Sequence, residues 1–251
     1  MISLKSKDWC IDNVETVLFD KDGTFIDLHY FWGKMTELRA EEVVLRYGLS
    51  DSLFTKLCLF LGYDCVSGKM LSDGITAMYS RPKIIEIFRA NLSELGVKTT
   101  IVELEQIFDE VSEKFYTNMQ EYTKPIPEAI EFINKLAKRG IKLGIVTSDS
   151  KQSTDMTLKY FGWENLFGVV VGRESTSETK ESGIPTRMAL EVLNSNPVTT
   201  VMVGDAPMDY ISAKNSGILN TILVASGQIA AEELKKTSNY VLNSLSELEI
   251  V

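Results

Sequence analysis

Two carboxylates stand directly after a short apolar run near the start of the chain. Residues 17–25 read VLFDKDGTF, so Asp20 ends the run, Asp22 follows two positions later, and Gly23 and Thr24 come next. An Asp-x-Asp pair on its own is common in solvated turns. Held together in a cleft, however, two carboxylates repel each other, and burial raises the pKa of each. Such a pair therefore favours a bound cation.

Further polar groups stand at the ends of later apolar runs or in the loops between them. All-oxygen ligands suit a hard cation, Mg²⁺ above all, which binds one or two carboxylates and keeps positions for water or phosphate oxygens. A lysine and a hydroxyl beside that ion supply positive charge and hydrogen-bond donors for a phosphoryl group. The pattern therefore predicts a site for a phosphate ester. Besides the first pair, the groups that would build it are Thr147, Ser148, Lys180, Asp205 and Asp209.

The elements that must position these groups are the strands of a parallel sheet. Short aliphatic runs alternate with helical patterns such as residues 127–140, which begin with a proline and end at a glycine. This alternation predicts an α/β fold with a doubly wound parallel sheet. Ligands of such sheets bind outside the carboxyl ends of the strands, where the polar groups should converge. The predicted strands cover roughly residues 15–19, 141–147, 167–171, 199–204 and 220–225.

The stretch from residue 28 to residue 123 has a different pattern. It shows helical periodicity and long polar segments, which are typical of amphipathic helices. It returns to the sheet through a stiff segment that contains Pro125 and Pro127. We therefore predict a core domain formed by residues 1–27 and 124–251, with a mostly α-helical domain inserted at residues 28–123.

Composition narrows the setting of this site. The chain carries 26 Lys and Arg against 35 Asp and Glu, a formal net charge of -9, whereas non-specific nucleic-acid binding needs a basic face. The three cysteines, Cys10, Cys58 and Cys65, lack C-x-x-C spacing, which predicts buried thiols rather than a disulfide frame or metal site. No apolar stretch reaches the ~18 residues of a membrane span, and the N-terminus lacks a cleavable apolar core. We expect a cytoplasmic protein without nucleic-acid or membrane partners.

Four segments, in order, resemble the motifs of the haloacid dehalogenase superfamily, with the spacing of its phosphatase branch. They are VLFDKDGTF, LGIVTSD, Lys180 five residues before Pro185, and VMVGDAPMDYISAKNSG. The resemblance covers nearly the whole chain and implies a Rossmann-like core. The insertion lies where members with a helical C1-type cap carry it, as in phosphoglycolate phosphatase-like and phosphoglucomutase-like enzymes. Residues 62–74, within the insertion, are similar to a loop-rich stretch of some phosphoglycolate phosphatase-like proteins.

The resemblance implies a role for each acidic motif residue. Asp20 would be the nucleophile that forms an aspartyl-phosphate, and it would also bind Mg²⁺. Asp22 would protonate the leaving group and then activate water, and its carbonyl oxygen would bind the metal. Asp205 would complete the protein's share of the metal ligands. Asp209 would hold a metal-bound water or orient Lys180.

The other motif residues are implied to bind the phosphoryl group. Thr147 and the amide of Ser148 would donate to phosphoryl oxygens, while Lys180 would neutralise the nucleophile and the transferring group. Gly23 would allow a tight turn under the phosphate.

Some positions depart from the family's pattern. Lys21 stands between the two acids, where an aliphatic residue is common, and supports no functional conclusion at this stage. The family's third motif usually reads Lys-Pro, whereas Glu181 follows Lys180 here, which leaves Lys151 and Arg173 as alternative cations. Members that dehalogenate or cleave phosphonates lack the second acid of the first motif, so its presence argues against both activities.

Several aromatic and polar residues of the insertion allow either a ligand contact or a plain structural role. Tyr30, Phe31 and Trp32 fit core positions of an amphipathic helix as well as a ligand-facing surface. The single histidine, His29, is open in the same way. Residues 62–74 fit either a substrate-reading loop or a surface loop.

Three functions fit the sequence. The first is a Mg²⁺-dependent phosphatase for a small phosphomonoester, such as phosphoglycolate or a sugar phosphate, because a cap that closes over the site favours small substrates. The second is a phosphomutase that passes the phosphoryl group to a second sugar hydroxyl. The third is a non-catalytic phosphate-binding or regulatory protein, against which the intact Asp20, Asp22 and Asp205 count.

Overall fold

The computed structural model describes residues 1–251 and contains eleven strands and eleven α-helices. The strands are β1 (Ile2–Lys5), β2 (Cys10–Val14), β3 (Thr16–Phe19), β4 (Tyr63–Asp64), β5 (Lys69–Met70), β6 (Lys142–Val146), β7 (Val169–Val171), β8 (Thr200–Gly204), β9 (Asn220–Val224), β10 (Tyr240–Leu242) and β11 (Glu249–Ile250). The helices are α1 (Leu28–Tyr47), α2 (Phe54–Phe60), α3 (Ile75–Met78), α4 (Arg81–Glu94), α5 (Ile101–Thr117), α6 (Met119–Tyr122), α7 (Pro127–Lys138), α8 (Lys151–Phe161), α9 (Ile184–Val192), α10 (Pro207–Ser216) and α11 (Ala231–Leu234).

A six-stranded sheet in the order β10-β9-β8-β3-β6-β7 forms the centre of the unit that contains Met1–Asp27 and Pro125–Val251. All of its pairings are parallel, and β3 lies between β6 and β8. All four residues of β3 are buried, because helices cover both faces of such a sheet. This topology confirms the predicted doubly wound α/β fold. It also brings the carboxyl ends of β3, β6 and β8 side by side.

Five of the six strands of this sheet lie where the continuous apolar runs predict them, to within two residues, whereas β10 was not predicted. The third predicted strand begins at Val169 rather than at residue 167. Phe167 is buried against the rings of Phe19 and Phe25, with centroids 6.4 Å and 5.8 Å away. Its apolar character therefore serves packing rather than the strand ladder. Helix α7 begins at Pro127 and stops before Gly140, as its pattern predicts.

A second, three-stranded antiparallel sheet joins the two ends of the chain in the order β11-β1-β2. The sequence pattern did not predict it, because its strands are short.

The three cysteines differ in exposure. Within β2, Ile11 is buried and Cys10 is exposed. The prediction of buried thiols is therefore wrong for Cys10, whereas Cys58 is buried and Cys65 is half-buried.

The chain divides into two compact units, Met1–Asp27 with Pro125–Val251, and Leu28–Lys124. The second unit contains α1 to α6 and a hairpin of β4 and β5. Its core includes a contact between the rings of Phe31 and Phe115, with centroids 4.9 Å apart. The hairpin falls within the segment predicted as a loop. His29 lies against it, since its Nδ1 accepts from the amide of Met70 at 3.1 Å.

Among the residues that sequence reasoning left open, Phe31 is a core residue, whereas the hydroxyl of the partly exposed Tyr30 donates to the carbonyl oxygen of Glu121 at 2.8 Å. None of the helices combines the length and the apolar character that a bilayer crossing requires.

Candidate active site

The predicted site residues of the core lie at one edge of the six-stranded sheet. Asp20 follows β3, Thr147 follows β6 and Asp205 follows β8, so the parallel strands present all three at their carboxyl ends. Each of the three side chains is buried. The backbone amide of Asp20 donates to the carbonyl oxygen of Val203 at 2.8 Å, which continues the β3–β8 ladder and holds Asp20 beside β8.

Lys180 lies between two carboxylates of this edge. Its Nζ is 2.6 Å from Oδ1 of Asp20 and 2.6 Å from Oδ1 of Asp209, and the side chain is almost wholly buried. Burial alone lowers the pKa of Lys180, but the charges of Asp20 and Asp209 raise it above its usual value. Lys180 is therefore a charged ammonium inside the cluster.

The turn that carries Lys180 packs closely on α10. Gly183, which ends this turn, has a φ of +75°, and a Cβ there would lie 2.6 Å from the backbone of Asn215. The side-chain amide of Asn215 donates to the carbonyl oxygen of Glu181 at 2.7 Å. The residue after Lys180 thus anchors the turn through its backbone. This explains how Lys180 reaches the cluster without the proline that usually follows it.

The two alternative cations lie in a different environment. Lys151 pairs with Asp155 along α8, and both side chains are about half exposed. Arg173 is also exposed. Neither is buried among the carboxylates, so Lys180 is the cation that the structure brings to them.

Asp209 organises the turn between β8 and α10. Its Oδ2 accepts from the backbone amides of Asp205 at 3.1 Å and Ala206 at 3.0 Å, which caps the start of the helix. A Cβ at Gly204 would lie 2.1 Å from Cγ of Asp209, so only glycine allows this arrangement. Asp209 is consequently held rigidly, with Oδ1 toward Lys180.

Two glycines make room for Asp205. A Cβ at Gly23 would lie 2.4 Å from Oδ2 of Asp205, and one at Gly227 would lie 1.7 Å from the same oxygen. Gly23 also has a φ of +85°, which a tight turn after Asp22 requires. Ser226 links the two glycine-containing turns, since its hydroxyl donates to the carbonyl oxygen of Gly23 at 2.6 Å. Sequence reasoning missed Ser226 and Gly227, which follow β9 without a motif of their own.

Three carboxylates of the site could hold one cation. One oxygen each from Asp20, Asp205 and Asp209 lie within 4.8 Å of one another. Burial raises the pKa of Asp20 to about 7, with Lys180 opposing the shift, and burial together with Asp20 raises the pKa of Asp205. A divalent cation would relieve this repulsion, and an all-oxygen donor set suits Mg²⁺. Mg²⁺ therefore fits the residues present.

Asp22 belongs to a separate charged group within the same edge. The Nζ of Lys21 lies 3.0 Å from Oδ1 of Asp22 and 2.7 Å from Oδ2 of Asp149. The Lys21 side chain is wholly buried. Burial opposes the charge of Lys21, but Asp149 and Asp22 raise its pKa. Although burial raises the pKa of Asp149, Lys21 and several hydrogen bonds lower it below its usual value.

Asp149 is a residue that sequence reasoning did not single out, although it is the last letter of LGIVTSD. Its Oδ1 accepts from the amide of Ser150 at 2.7 Å, and its own amide donates to Oγ1 of Thr147 at 3.1 Å. Because the Thr147 oxygen is used as an acceptor, its hydroxyl hydrogen can donate to a ligand. Ser148 is exposed, with its Oγ 3.5 Å from the sulfur of Met208.

Comparison with known proteins agrees with this geometry. Residues 69–224, more than half of the chain, match the haloacid dehalogenase-like hydrolase family. The chain therefore belongs to the haloacid dehalogenase-like hydrolases. The predicted resemblance and the predicted enzyme class, a phosphoric monoester hydrolase of this type, are both confirmed.

Individual relatives align over almost their whole length. The chain is 26% identical to the pyrophosphatase PpaX of Bacillus mycoides, over 94% of this chain and 95% of that protein. It is 27% identical to the phosphoglycolate phosphatase of Neisseria meningitidis, over 95% and 93% respectively. A structure described as a predicted phosphoglycolate phosphatase from Haemophilus somnus superposes with a TM-score of 0.71 at 16% identity, over 94% of this chain and 97% of that one.

Proposed function

We propose that this protein is a Mg²⁺-dependent phosphatase that hydrolyses a small phosphomonoester through an aspartyl-phosphate on Asp20. The observation that carries the proposal is the position of Lys180, 2.6 Å from Asp20, inside a cluster with Asp205 and Asp209. This arrangement offers a carboxylate nucleophile, a fixed positive charge and a place for a divalent cation at one strand edge. These are the parts that phosphoryl transfer needs.

In the first step, an oxygen of Asp20 attacks phosphorus while the bond between phosphorus and the ester oxygen breaks. The leaving oxygen takes a proton from the carboxyl group of Asp22, so an alcohol departs and Asp20 carries the phosphoryl group. Lys180 offsets negative charge on Asp20 and on the transferring group. Thr147 donates its hydroxyl hydrogen to a phosphoryl oxygen.

In the second step, water attacks the phosphorus of the aspartyl-phosphate. The carboxylate of Asp22 takes a proton from this water, the bond between phosphorus and Asp20 breaks, and inorganic phosphate leaves. Asp20 is again a carboxylate and Asp22 again a carboxylic acid. The reaction therefore returns every group to its starting state.

Asp20, Asp205 and Asp209 would hold Mg²⁺, the last directly or through water. The ion would supply Lewis-acid charge neutralisation for a phosphoryl oxygen. The backbone carbonyl of Asp22 is a further proposed ligand. Before the ion binds, burial holds the pKa of Asp20 near 7, so loss of its proton accompanies the binding of a cation.

The substrate class rests on the relatives and on the charge of the chain. Relatives named as pyrophosphatase and phosphoglycolate phosphatase favour a small phosphorylated metabolite. A net charge of -9 argues against a nucleic-acid substrate. A cytoplasmic location, where such metabolites occur, is part of the same proposal.

The experiment measures phosphate release from phosphoglycolate, sugar phosphates, nucleotides and pyrophosphate, with Mg²⁺ or with EDTA. The variant Asp20→Asn removes the nucleophile, and Asp155→Asn, at an exposed carboxylate on α8, is the control for loss of one charge. We expect release that requires Mg²⁺, that disappears in Asp20→Asn, and that persists in Asp155→Asn.

Two results would overturn the proposal. The first is an absence of release by folded wild-type protein from every ester, which would leave the mutase and the non-catalytic protein as candidates. The second is undiminished release by Asp20→Asn. A sugar bisphosphate that is required for conversion of a sugar monophosphate would identify the mutase.

A further inference from the structure

Lys21 is a wholly buried ammonium between two acids, at a position where sequence alone gave it no function. We propose that Lys21, anchored by Asp149, is a positioning residue that orients the carboxyl group of Asp22 for proton transfer. This inference rests on the proposed function, because it assigns a partner to the acid of the phosphatase mechanism.

The contact with Lys21 distinguishes the two oxygens of Asp22. An ammonium is positively charged and has no acceptor, so a proton on the carboxyl oxygen that faces it would be repelled. Lys21 lies 3.0 Å from Oδ1 of Asp22. When Asp22 is a carboxylic acid, its proton therefore resides on Oδ2. The contact sets both the direction of the carboxyl group and the oxygen that delivers the proton.

Asp149 gives Lys21 a fixed position and a closer counter-charge. Its Oδ2 lies 2.7 Å from Nζ, nearer than the oxygen of Asp22. Its other oxygen accepts from the amide of Ser150, and its carbonyl oxygen accepts from the amide of Arg173 at 2.8 Å. The charge of Lys21 is thus matched mainly by Asp149, the nearer of its two carboxylate neighbours.

A contribution to folding stability is a weak explanation for burying Lys21 between Asp22 and Asp149. Removing three charged groups from water is costly, and well-packed apolar residues often replace such a group without loss of stability. Lys21 and Asp149 are 128 positions apart and join the first and second motifs of the site. The pair links the proton donor to the strand end that carries Thr147.

The step that depends on this orientation is departure of the leaving group. A proton moves from Oδ2 of Asp22 to the ester oxygen as the bond between that oxygen and phosphorus breaks. Poor leaving groups such as phenols and alcohols need this proton, whereas 4-nitrophenolate and acetate leave readily without it. Disturbing Asp22 should therefore slow the first class of ester much more than the second.

The test compares kcat/KM for 4-nitrophenyl or acetyl phosphate with kcat/KM for phenyl phosphate or phosphoglycolate, because kcat/KM reports the steps up to leaving-group departure. For Lys21→Met we expect a loss of about 100-fold with the poor leaving groups and less than about 3-fold with the good ones, within the range of general-acid catalysis. Asp22→Asn should give the same selective loss. With 4-nitrophenyl phosphate, Lys21→Met should also show a burst of nitrophenolate, because Asp22 activates water in the second step.

A second variant separates positioning from folding. Lys21→Met leaves Asp149 buried without its counter-charge, so its urea midpoint in EDTA should fall. In Lys21→Met with Asp149→Asn the charges balance and the midpoint should return toward that of wild type, while the leaving-group selectivity of the loss persists. Equal losses for both ester classes, or normal rates in the double variant, would overturn the inference. Inactive wild-type protein would instead contradict the proposed phosphatase function.

Discussion

The ammonium of Lys180 lies 2.6 Å from Oδ1 of Asp20, although the two residues are 160 positions apart in the chain. The contact joins the short turn before α9 to the end of the central strand. Because Oδ1 of Asp209 lies at the same distance, the ammonium has two carboxyl groups within hydrogen-bond reach. These two contacts explain how the charged side chain of a lysine can be buried at the strand edge.

Replacing Lys180 with Met should reduce both stability and activity. The change leaves Asp20 and Asp209 buried without their cation, and breaking a buried ion pair costs about 3 to 5 kcal/mol. We expect a loss of this order in urea unfolding measured in EDTA above pH 7, where Asp20 is ionised. Phosphate release should fall by at least about 100-fold, as for loss of a charge that stabilises the transition state. Lys180→Arg should restore little activity, because the planar guanidinium does not match a point-charge site.

Lys151→Met is the matched control for this lysine. Its ion pair with Asp155 is about half exposed, and exposed pairs contribute about 0 to 1 kcal/mol. Equal losses of unfolding free energy in Lys151→Met and Lys180→Met would show that the buried ion pairs of Lys180 stabilise the fold no more than an exposed pair does.

The raised pKa of Asp20 predicts the pH dependence of the metal-free protein. Burial raises this pKa from 3.8 to about 7, so between these values the folded chain holds a proton that the unfolded chain has released. The contribution of Asp20 to stability is therefore most favourable at low pH and is lost as the pH rises through 7. In EDTA, the stability of wild type relative to Asp20→Asn should fall between pH 4 and pH 7.5, by roughly 1 to 4 kcal/mol. A difference that is constant or rises over this range would contradict the prediction.

Mg²⁺ should reverse this trend, because it binds the deprotonated carboxylates. Its affinity should increase from pH 5.5 to pH 7.5, and calorimetry in buffers of different ionisation enthalpy should detect proton release on binding. In Asp205→Asn, the thermal stabilisation by Mg²⁺ should disappear. Unchanged stabilisation in that variant would exclude Asp205 as a ligand.

Thr147 and Ser148 should differ sharply in the importance of their side chains. The Thr147 oxygen accepts from the amide of Asp149, which leaves its hydrogen for a phosphoryl oxygen. Thr147→Val keeps the shape and removes this donor, so kcat/KM should fall about 10- to 100-fold, whereas Thr147→Ser should retain most activity. Ser148→Ala should have less than about a 3-fold effect, since its proposed contribution is a backbone amide. Equal effects of Thr147→Val and Ser148→Ala would contradict these assignments.

The sheet could be predicted well because its signals are local. Strands that are buried on both faces require continuous apolar runs, and these runs mark β3, β6, β8 and β9 to within one or two residues. The antiparallel sheet of β1, β2 and β11 could not be predicted in this way. Its strands are short, and pairing between the two ends of the chain leaves no local pattern.

For the site, the sequence argument identified the strand-end groups but not the contacts between them. Asp20, Asp205 and Asp209 were expected to converge, and their oxygens lie within 4.8 Å, although their catalytic and metal-binding roles remain predictions. The pairing of Lys21 with Asp149 was missed, because a contact across 128 positions depends on which strands become neighbours. Gly227 was missed for the same reason. Only a glycine fits at this position because Asp205 lies beside it in the folded chain.

Gly227 offers a test of the space around Asp205 that involves no backbone strain. A Cβ there would lie 1.7 Å from Oδ2 of Asp205, and Gly227 is not among the glycines with positive φ. Gly227→Ala should therefore displace the carboxylate while the backbone remains unstrained. We expect Mg²⁺ affinity, measured by the thermal shift at increasing Mg²⁺ concentration, to fall at least about 10-fold, which corresponds to about 1.4 kcal/mol.

Gly140→Ala provides the opposite case and serves as the control. Gly140 follows α7 with a φ of +72° and has no atom within 4 Å of its ideal Cβ position. Its substitution should cost about 1 to 2 kcal/mol of stability through left-handed backbone strain. Its Mg²⁺ affinity should equal that of wild type, because Gly140 lies at the far end of the strand that precedes Thr147. If Gly227→Ala binds Mg²⁺ as tightly as Gly140→Ala does, Asp205 can shift without affecting the metal, and its assignment as a ligand fails.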